Sequence, residues 1–316
     1  MSCGRIALDR SGIGVNKYYA SEIDKHAIAV SRYNWNNEHL GDVTEWREWD
    51  IDWSSIDLIL AGSPCQGFSF AGKQLAFDDP RSALFFVFID ILNHVRTVNP
   101  NIKFMLENVK MKKEYLTVIS EMVGVDPVFI NSALVSAQNR QRYYWCNWDI
   151  EPPEDKGVLL ANILEPHLPS CGIGARIVGR RLNELGKRED YNYEIPLHQY
   201  IELRYDGKAN CMTTVYKDSV VPYFKTDKKL KIKMNQGKAS CLTGGAHSGG
   251  NHSDMDILVI EPNVCRRYSI TECERLQTIP DGYCKSATPS QAYKMLGNGW
   301  TVDVIKHILD SSGLHE

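Results

Sequence analysis

The chain has 316 residues, enough for one large domain carrying a smaller one. At 43% hydrophobic and 24% charged it has the balance of an ordinary globular protein with a sizeable core. The net charge of −3 argues against a uniformly nucleic-acid-binding surface, and no apolar run approaches the length of a membrane span.

Met1-Ser2-Cys3-Gly4-Arg5 lacks the basic-then-apolar pattern of a secretory leader, so a cytoplasmic place is expected. Nine cysteines, an odd number without any Cys-x-x-Cys pair, read as scattered buried thiols rather than a disulfide frame or a metal site.

In chain order, residues 17–21 read as a short strand and 25–33 as a helix. Residues 56–61 form a nearly continuous apolar run ending at Gly62, the pattern of a buried parallel strand. An amphipathic helix over 83–95, a strand over 103–107 and a helix over 113–123 follow. Strands are then expected near 128–134 and 142–145. This rhythm predicts an α/β fold with a doubly wound, mostly parallel sheet.

After Glu151-Pro-Pro-Glu154 the helical periodicity fades, and a second, irregular β-rich region is expected to about residue 262. It carries an internal echo, Gly207-Lys-Ala-Asn-Cys-Met-Thr-Thr214 and Gly237-Lys-Ala-Ser-Cys-Leu-Thr-Gly244, read as two related strand-turn units. Between residues 176 and 233 thirteen basic side chains face eight acidic ones. That local excess reads either as a footprint for nucleic acid or as a solvated lysine-rich surface. Helical pattern returns at 269–278 and from Gln291 to the end.

Ligands of open α/β sheets gather at the carboxyl ends of the strands. After the strand at 56–61 comes Gly62-Ser-Pro-Cys-Gln-Gly-Phe-Ser69. A cysteine held there by proline and glycine is either a thiolate nucleophile or an incidental buried thiol. Glu107-Asn108-Val109 ends the next strand, where a buried acid is costly unless it binds something. In Gln138-Asn-Arg-Gln-Arg142 the two arginines share one side of an extended segment.

Pro64-Cys65-Gln66, Glu107-Asn108-Val109 and Gln138-x-Arg140-x-Arg142 resemble, in order and spacing, the motifs of the DNA cytosine-C5 methyltransferases. The resemblance continues through Ser69-Phe-Ala-Gly-Lys73 and Asp79-Pro-Arg-Ser-Ala-Leu-Phe-Phe86. It closes with Arg267-Tyr-Ser-Ile-Thr-Glu-Cys-Glu-Arg-Leu-Gln277 and Gly297-Asn-Gly-Trp-Thr-Val302. It spans nearly all of the chain outside about 151–264, and the Gly-Asn-Gly-Trp form is similar to the animal de novo branch and its phage-like relatives.

The resemblance implies a class I S-adenosylmethionine-dependent fold with a target-recognition domain. The catalytic domain is expected over 1–150, completed by 286–316, with the recognition domain at 151–285. The resemblance also implies a mechanism. Cys65 adds to C6 of a flipped cytosine, Glu107 assists at N3, and Arg140 and Arg142 hold the base and organise the site. For S-adenosylmethionine it points to Glu22 on the ribose and Asp42 on the adenine amino group, with further contacts from Pro64, Leu84, Asn298 and Val302. Gln66, Ser69 and Lys73 are placed against duplex DNA. No metal and no membrane enter this reading, which sets the protein in a bacterial or phage-infected cell.

One part of the pattern departs. The family opens with a strand and a Phe-x-Gly loop, whereas Met1-Ser-Cys-Gly-Arg-Ile-Ala-Leu8 resembles only the helix-side half of that motif. The expectation is either a start further upstream or a weakened enzyme. The competing readings are a transfer-RNA enzyme of the same fold, whose Cys-Phe-Thr signature the chain lacks, a DNA-binding remnant without catalysis, and a cysteine hydrolase.

Overall fold

In the computed structural model of the chain, the described residues are 1–62, 83–214, 219–223, 232–233, 257–258 and 265–315, with backbone alone at 232–233 and 257–258. Helix α1 (Cys3–Arg10) leads into strand β1 (Tyr19–Ser21), helix α2 (Lys25–Asn34) and strand β2 (Glu38–Gly41). After two 3-10 turns come β3 (Leu58–Gly62), α3 (Ala83–Val98), β4 (Lys103–Val109), α4 (Lys113–Val123), β5 (Pro127–Asn131) and β6 (Gln141–Cys146). These form two ladders that share no hydrogen-bonded strand. β1 and β2 pair in parallel, and a four-stranded sheet runs β3-β4-β6-β5. In the larger sheet β3 and β4 are parallel, while β6 lies antiparallel to both of its neighbours.

Period-two alternation explains why this sheet is buried on both faces. Along β4, Phe104 and Leu106 enter one apolar cluster with α3 and α4, while Met105 enters the other. On β6, Trp145 faces the first cluster, and Tyr144 and Cys146 the second. Each large apolar side chain so enclosed contributes roughly 1.5–3 kcal/mol. The second cluster is closed by α1 and by two C-terminal helices, α7 (Pro289–Asn298) and α8 (Val302–Asp310). The buried residues of α8, Val302, Val304, Ile305, Ile308 and Leu309, recur at helical spacing on one face. An ion pair between Arg10 and Asp303 at 2.7 Å ties that helix to the end of α1.

The short helix α5 (Leu160–Ile163) opens the irregular region. There β7 (Gly174–Arg180), β8 (His198–Arg204), β9 (Ser219–Pro222) and β12 (Cys265–Arg267) make an antiparallel sheet in the order β12-β9-β7-β8. Strands β10 (Ile232–Lys233) and β11 (Ile257–Leu258) pair separately. Helix α6 (Ile270–Leu276) then returns to the main core, capped by Ser269 and Glu272. The α/β class with a smaller β-rich region is as expected.

Three local expectations are corrected. The strand expected over 128–134 stops at Asn131, because the Asn131 side chain accepts the backbone N–H groups of Ala133 and Arg140 and turns the chain into a 3-10 segment. The single C-terminal helix expected from Gln291 starts earlier, with Pro289 in its first turn, and is interrupted between Asn298 and Val302. The first copy of the internal echo is not a named strand. It makes one parallel bridge, Ala209 with Gln138; the second copy lies outside the described residues.

Candidate active site

The C-terminal ends of β3 and β4 lie side by side, with Gly62 directly opposite Glu107. Glu107 is only 8% exposed. Its Oε1 forms an ion pair with Nε of Arg142 at 2.7 Å, and its Oε2 accepts the indole N–H of Trp300 at 3.2 Å. A buried carboxylate is tolerated because both of its oxygens meet donors or positive charge. The indole reaches this position through the break between α7 and α8. A Cβ at Gly62 would stand 2.9 Å from Trp300 Nε1, so only glycine leaves room for the ring over the strand end.

Arg140 and Arg142 serve different tasks. Arg140 is 4% exposed, and its guanidinium donates to the backbone carbonyls of Met212 (3.1 Å), Gly297 (3.4 Å) and Gly299 (2.9 Å). It is thus a tie between residues 211–212 and the turn that carries Trp300. Gln138 belongs to the same buried scaffold, accepting Met212 N–H at 2.8 Å and donating to Leu276 O at 3.1 Å. Gln277 extends it, donating to Leu296 O at 2.7 Å and accepting the Thr301 hydroxyl at 3.0 Å. At Gly297 a Cβ would lie 2.4 Å from Thr213 O, which measures how closely the two segments approach.

The two acids expected to hold a nucleotide-like cofactor end adjacent parallel strands. Glu22 follows β1 and uses Oε1 to accept the N–H groups of Ile23 and Asp24, each at 2.9 Å. Asp42 follows β2 and uses Oδ1 for the N–H and hydroxyl of Thr44, also at 2.9 Å. Those bonds from Thr44 hold the Asp42 carboxyl below its ordinary range. Each carboxylate therefore spends one oxygen on its own turn. Ile23, beside Glu22, leaves 73% of itself exposed, an apolar surface next to the acid.

Of the remaining expected residues, Leu84 lies half-buried in the first turn of α3, and Asn298 is exposed at the end of α7. Val302 opens α8 with its side chain fully enclosed in the core. Pro64, Cys65, Gln66, Ser69 and Lys73 lie outside the described residues; Cys65 follows the last residue of β3 by three positions. Trp300, Gly62 and Gln277 escape the sequence reading. The available signal was the Gly-Asn-Gly-Trp turn, a large aromatic between glycine and threonine where a helix was expected to continue.

Among the described residues, six of the basic side chains between 176 and 233 have partners within the chain. Arg176 and Arg180 both bind Glu202, at 2.6 and 2.5 Å. Arg188 pairs with Asp190 and Arg204 with Asp206, and Arg181 donates to the carbonyls of Ile195 and Asp190. The Lys208 ammonium donates to three backbone carbonyls, those of Ala133, Ser136 and Val158. Lys217, Lys225, Lys228, Lys229 and Lys231 lie outside the described residues. Among the described residues no helix is long and apolar enough to cross a membrane.

Residues 2–313 match the family model described as C-5 cytosine-specific DNA methylase. The chain belongs to that family. The methylase is 26% identical to the type II methyltransferase M.HhaI of Haemophilus parahaemolyticus, over 98% of this chain and 90% of that protein. It is 28% identical to M.HpaII of Haemophilus parainfluenzae, over 98% and 87% of the two chains. Among solved structures, the methylase fold aligns with a DNMT2 mutant of Spodoptera frugiperda at TM-score 0.57 and 19% identity, covering 98% of this chain and 96% of that one. It also aligns with the Entamoeba histolytica methyltransferase EhMeth at TM-score 0.58 and 14% identity, over 98% and 94%. These likenesses show the class I methyltransferase fold. Family and fold together identify the methylase as a DNA cytosine-C5 methyltransferase.

Proposed function

We propose that this methylase carries its methyl group from S-adenosylmethionine to cytosine in a specific duplex DNA sequence, through a covalent adduct of Cys65. The observation that carries the reading is the Glu107–Arg142–Trp300 cluster beside the strand end that leads to Cys65. Cytosine C5 is a weak nucleophile, and a flipped base presents its C6 and N3 edges to such a pocket. The Cys65 thiolate forms a bond to C6, and the C5–C6 π electrons move into the ring as Glu107 supplies a proton or hydrogen bond at N3. C5 is then enamine-like. C5 takes the methyl group as the sulfonium S–CH3 bond breaks; solvent water then accepts the C5 proton, the C5–H electron pair re-forms the C5–C6 double bond, and the C6–S bond breaks to restore the thiolate. Arg142 orients Glu107, while Arg140 holds the surrounding turns.

S-adenosylmethionine, when bound, supplies an electrophilic methyl group on a sulfonium centre. Glu22 and Asp42 fit it, since each has a carboxylate oxygen at a strand end without a hydrogen bond among the described residues, and exposed Ile23 offers an apolar cover for the adenine. Leu84, Asn298 and Val302 remain in the proposed cofactor set, with Pro64 preceding the nucleophile. Gln66, Ser69 and Lys73 are proposed to meet DNA.

The catalytic part is proposed to comprise residues 1–150 and the C-terminal helices. The recognition part is proposed to comprise residues 151–285, with Leu160, Met212, Val221, Tyr268 and Leu276 packing into the core that α1 and α8 share. The proposed setting is modification of DNA in the cytoplasm of a bacterial or phage-infected cell.

The test is transfer of labelled methyl from S-adenosylmethionine to cytosine-containing duplex DNA, with Cys65→Ala alongside. Label that vanishes in Cys65→Ala supports the covalent route; equal label in both variants sinks it. A DNA containing 5-fluorocytosine adds a second check. It should trap a denaturation-resistant complex with the unmodified chain and none with Cys65→Ala.

A further inference from the structure

The geometry points to Trp300 as a positioning residue for Glu107, with Gly62 present to admit its indole. The inference rests on the proposal that Glu107 assists at cytosine N3, and it concerns how that carboxyl is aimed. Three observations converge. The Trp300 indole N–H donates to Glu107 Oε2 at 3.2 Å, while Arg142 takes the other oxygen. The same ring lies over Gly62, the residue paired with Glu107 across β3 and β4. The backbone carrying Trp300 is itself fixed, because Gly299 O accepts from Arg140 at 2.9 Å and from Gln277 at 3.2 Å.

A carboxylate held by Arg142 alone could still rotate about its terminal torsion, which is broad for glutamate. A second donor of fixed direction, on the opposite oxygen, removes that freedom and presents one edge of the group to the base. An indole suits the task because it donates without accepting and carries no charge of its own. Its placement also links two events. The turn between α7 and α8 sits beside the proposed cofactor contacts Asn298 and Val302, so the group that aims Glu107 belongs to the segment that would sense an occupied cofactor site.

Trp300→Phe keeps most of the ring and deletes the donor. With the full chain, duplex DNA and S-adenosylmethionine, kcat should fall roughly ten- to a hundredfold, as for a lost hydrogen bond to a charged group. KM for both substrates and the unfolding midpoint should stay nearly unchanged. Gly62→Ala should reproduce the kcat loss by pushing the indole aside, and Trp300→Phe keeps the test decisive if that variant folds poorly.

The deciding comparison is the double variant with Glu107→Gln. A residue that works through Glu107 adds no further loss once the carboxylate is gone. A Trp300→Phe penalty of equal size in both backgrounds, or one that appears in KM alone, overturns the inference. A Glu107→Gln enzyme with ordinary kcat would overturn the reading of Glu107, and this inference with it.

Discussion

Arg142 and Glu107 show what a single pair does at the end of a buried strand. Both side chains are largely withdrawn from water, so their attraction is little screened, and removing one partner strands the other. Arg142→Met should therefore cost on the order of 3–5 kcal/mol of stability, read as a lowered urea midpoint with unchanged slope. Arg142→Met combined with Glu107→Gln should recover part of that cost. A single variant as stable as the parent chain would mean that Trp300 alone suffices to satisfy the carboxylate. The sequence reading found both members of this pair, because acids and arginines at strand ends are rare and stand out. It missed Trp300, because an aromatic next to glycine reads equally well as packing.

At the scale of elements, the capping of α6 joins three segments through one acid. Glu272 accepts from Arg266 at 2.7 and 2.8 Å and from the backbone N–H groups of Ser269 and Glu165. Burial alone would raise its carboxyl, but the Arg266 guanidinium and those N–H groups outweigh burial and hold it below the ordinary value. A folded value below the unfolded one, about 4.3, stabilises the native chain above that pH. The contribution is lost as pH falls through the depressed folded value. On acidification the parent chain should accordingly lose more of its neutral-pH stability than a chain without Glu272. Glu272→Gln should flatten stability against pH below about 4.3, and an unchanged profile would refute the assignment.

The elements themselves were largely legible where hydrophobic periodicity was strong, as in α4 and β4. They were misread where a side chain rather than a pattern ends the element, as Asn131 does for β5. The break before Val302 also depends on a distant partner, here a backbone one, since Val302 N–H bonds the Gln277 carbonyl at 2.9 Å. No local periodicity foretells a partner some 25 residues away.

At the scale of the whole molecule, charge counted along the chain differs from charge offered to a ligand wherever acids sit beside the bases, as they do among the described residues. Glu202 absorbs both Arg176 and Arg180, although all three were counted in a segment with a positive excess. If that pairing persists on DNA, Arg176→Gln should leave the slope of log affinity against log salt unchanged. A slope smaller by about 0.9 would show instead that Arg176 leaves Glu202 for a phosphate. The same scale gives meaning to residues 207–214. Lys208 is docked on carbonyls at 133, 136 and 158, Ala209 bridges Gln138, and Thr213 packs against Gly297. This stretch lies inside the region proposed for recognition yet is bonded to residues 133–138 and packs against Gly297. A hybrid enzyme made by grafting a relative's segment into the proposed recognition region should therefore keep residues 207–214 native and place its seams beyond them, since a transplant that replaces Lys208 or the backbone around Thr213 would loosen Arg140 and the Trp300 turn.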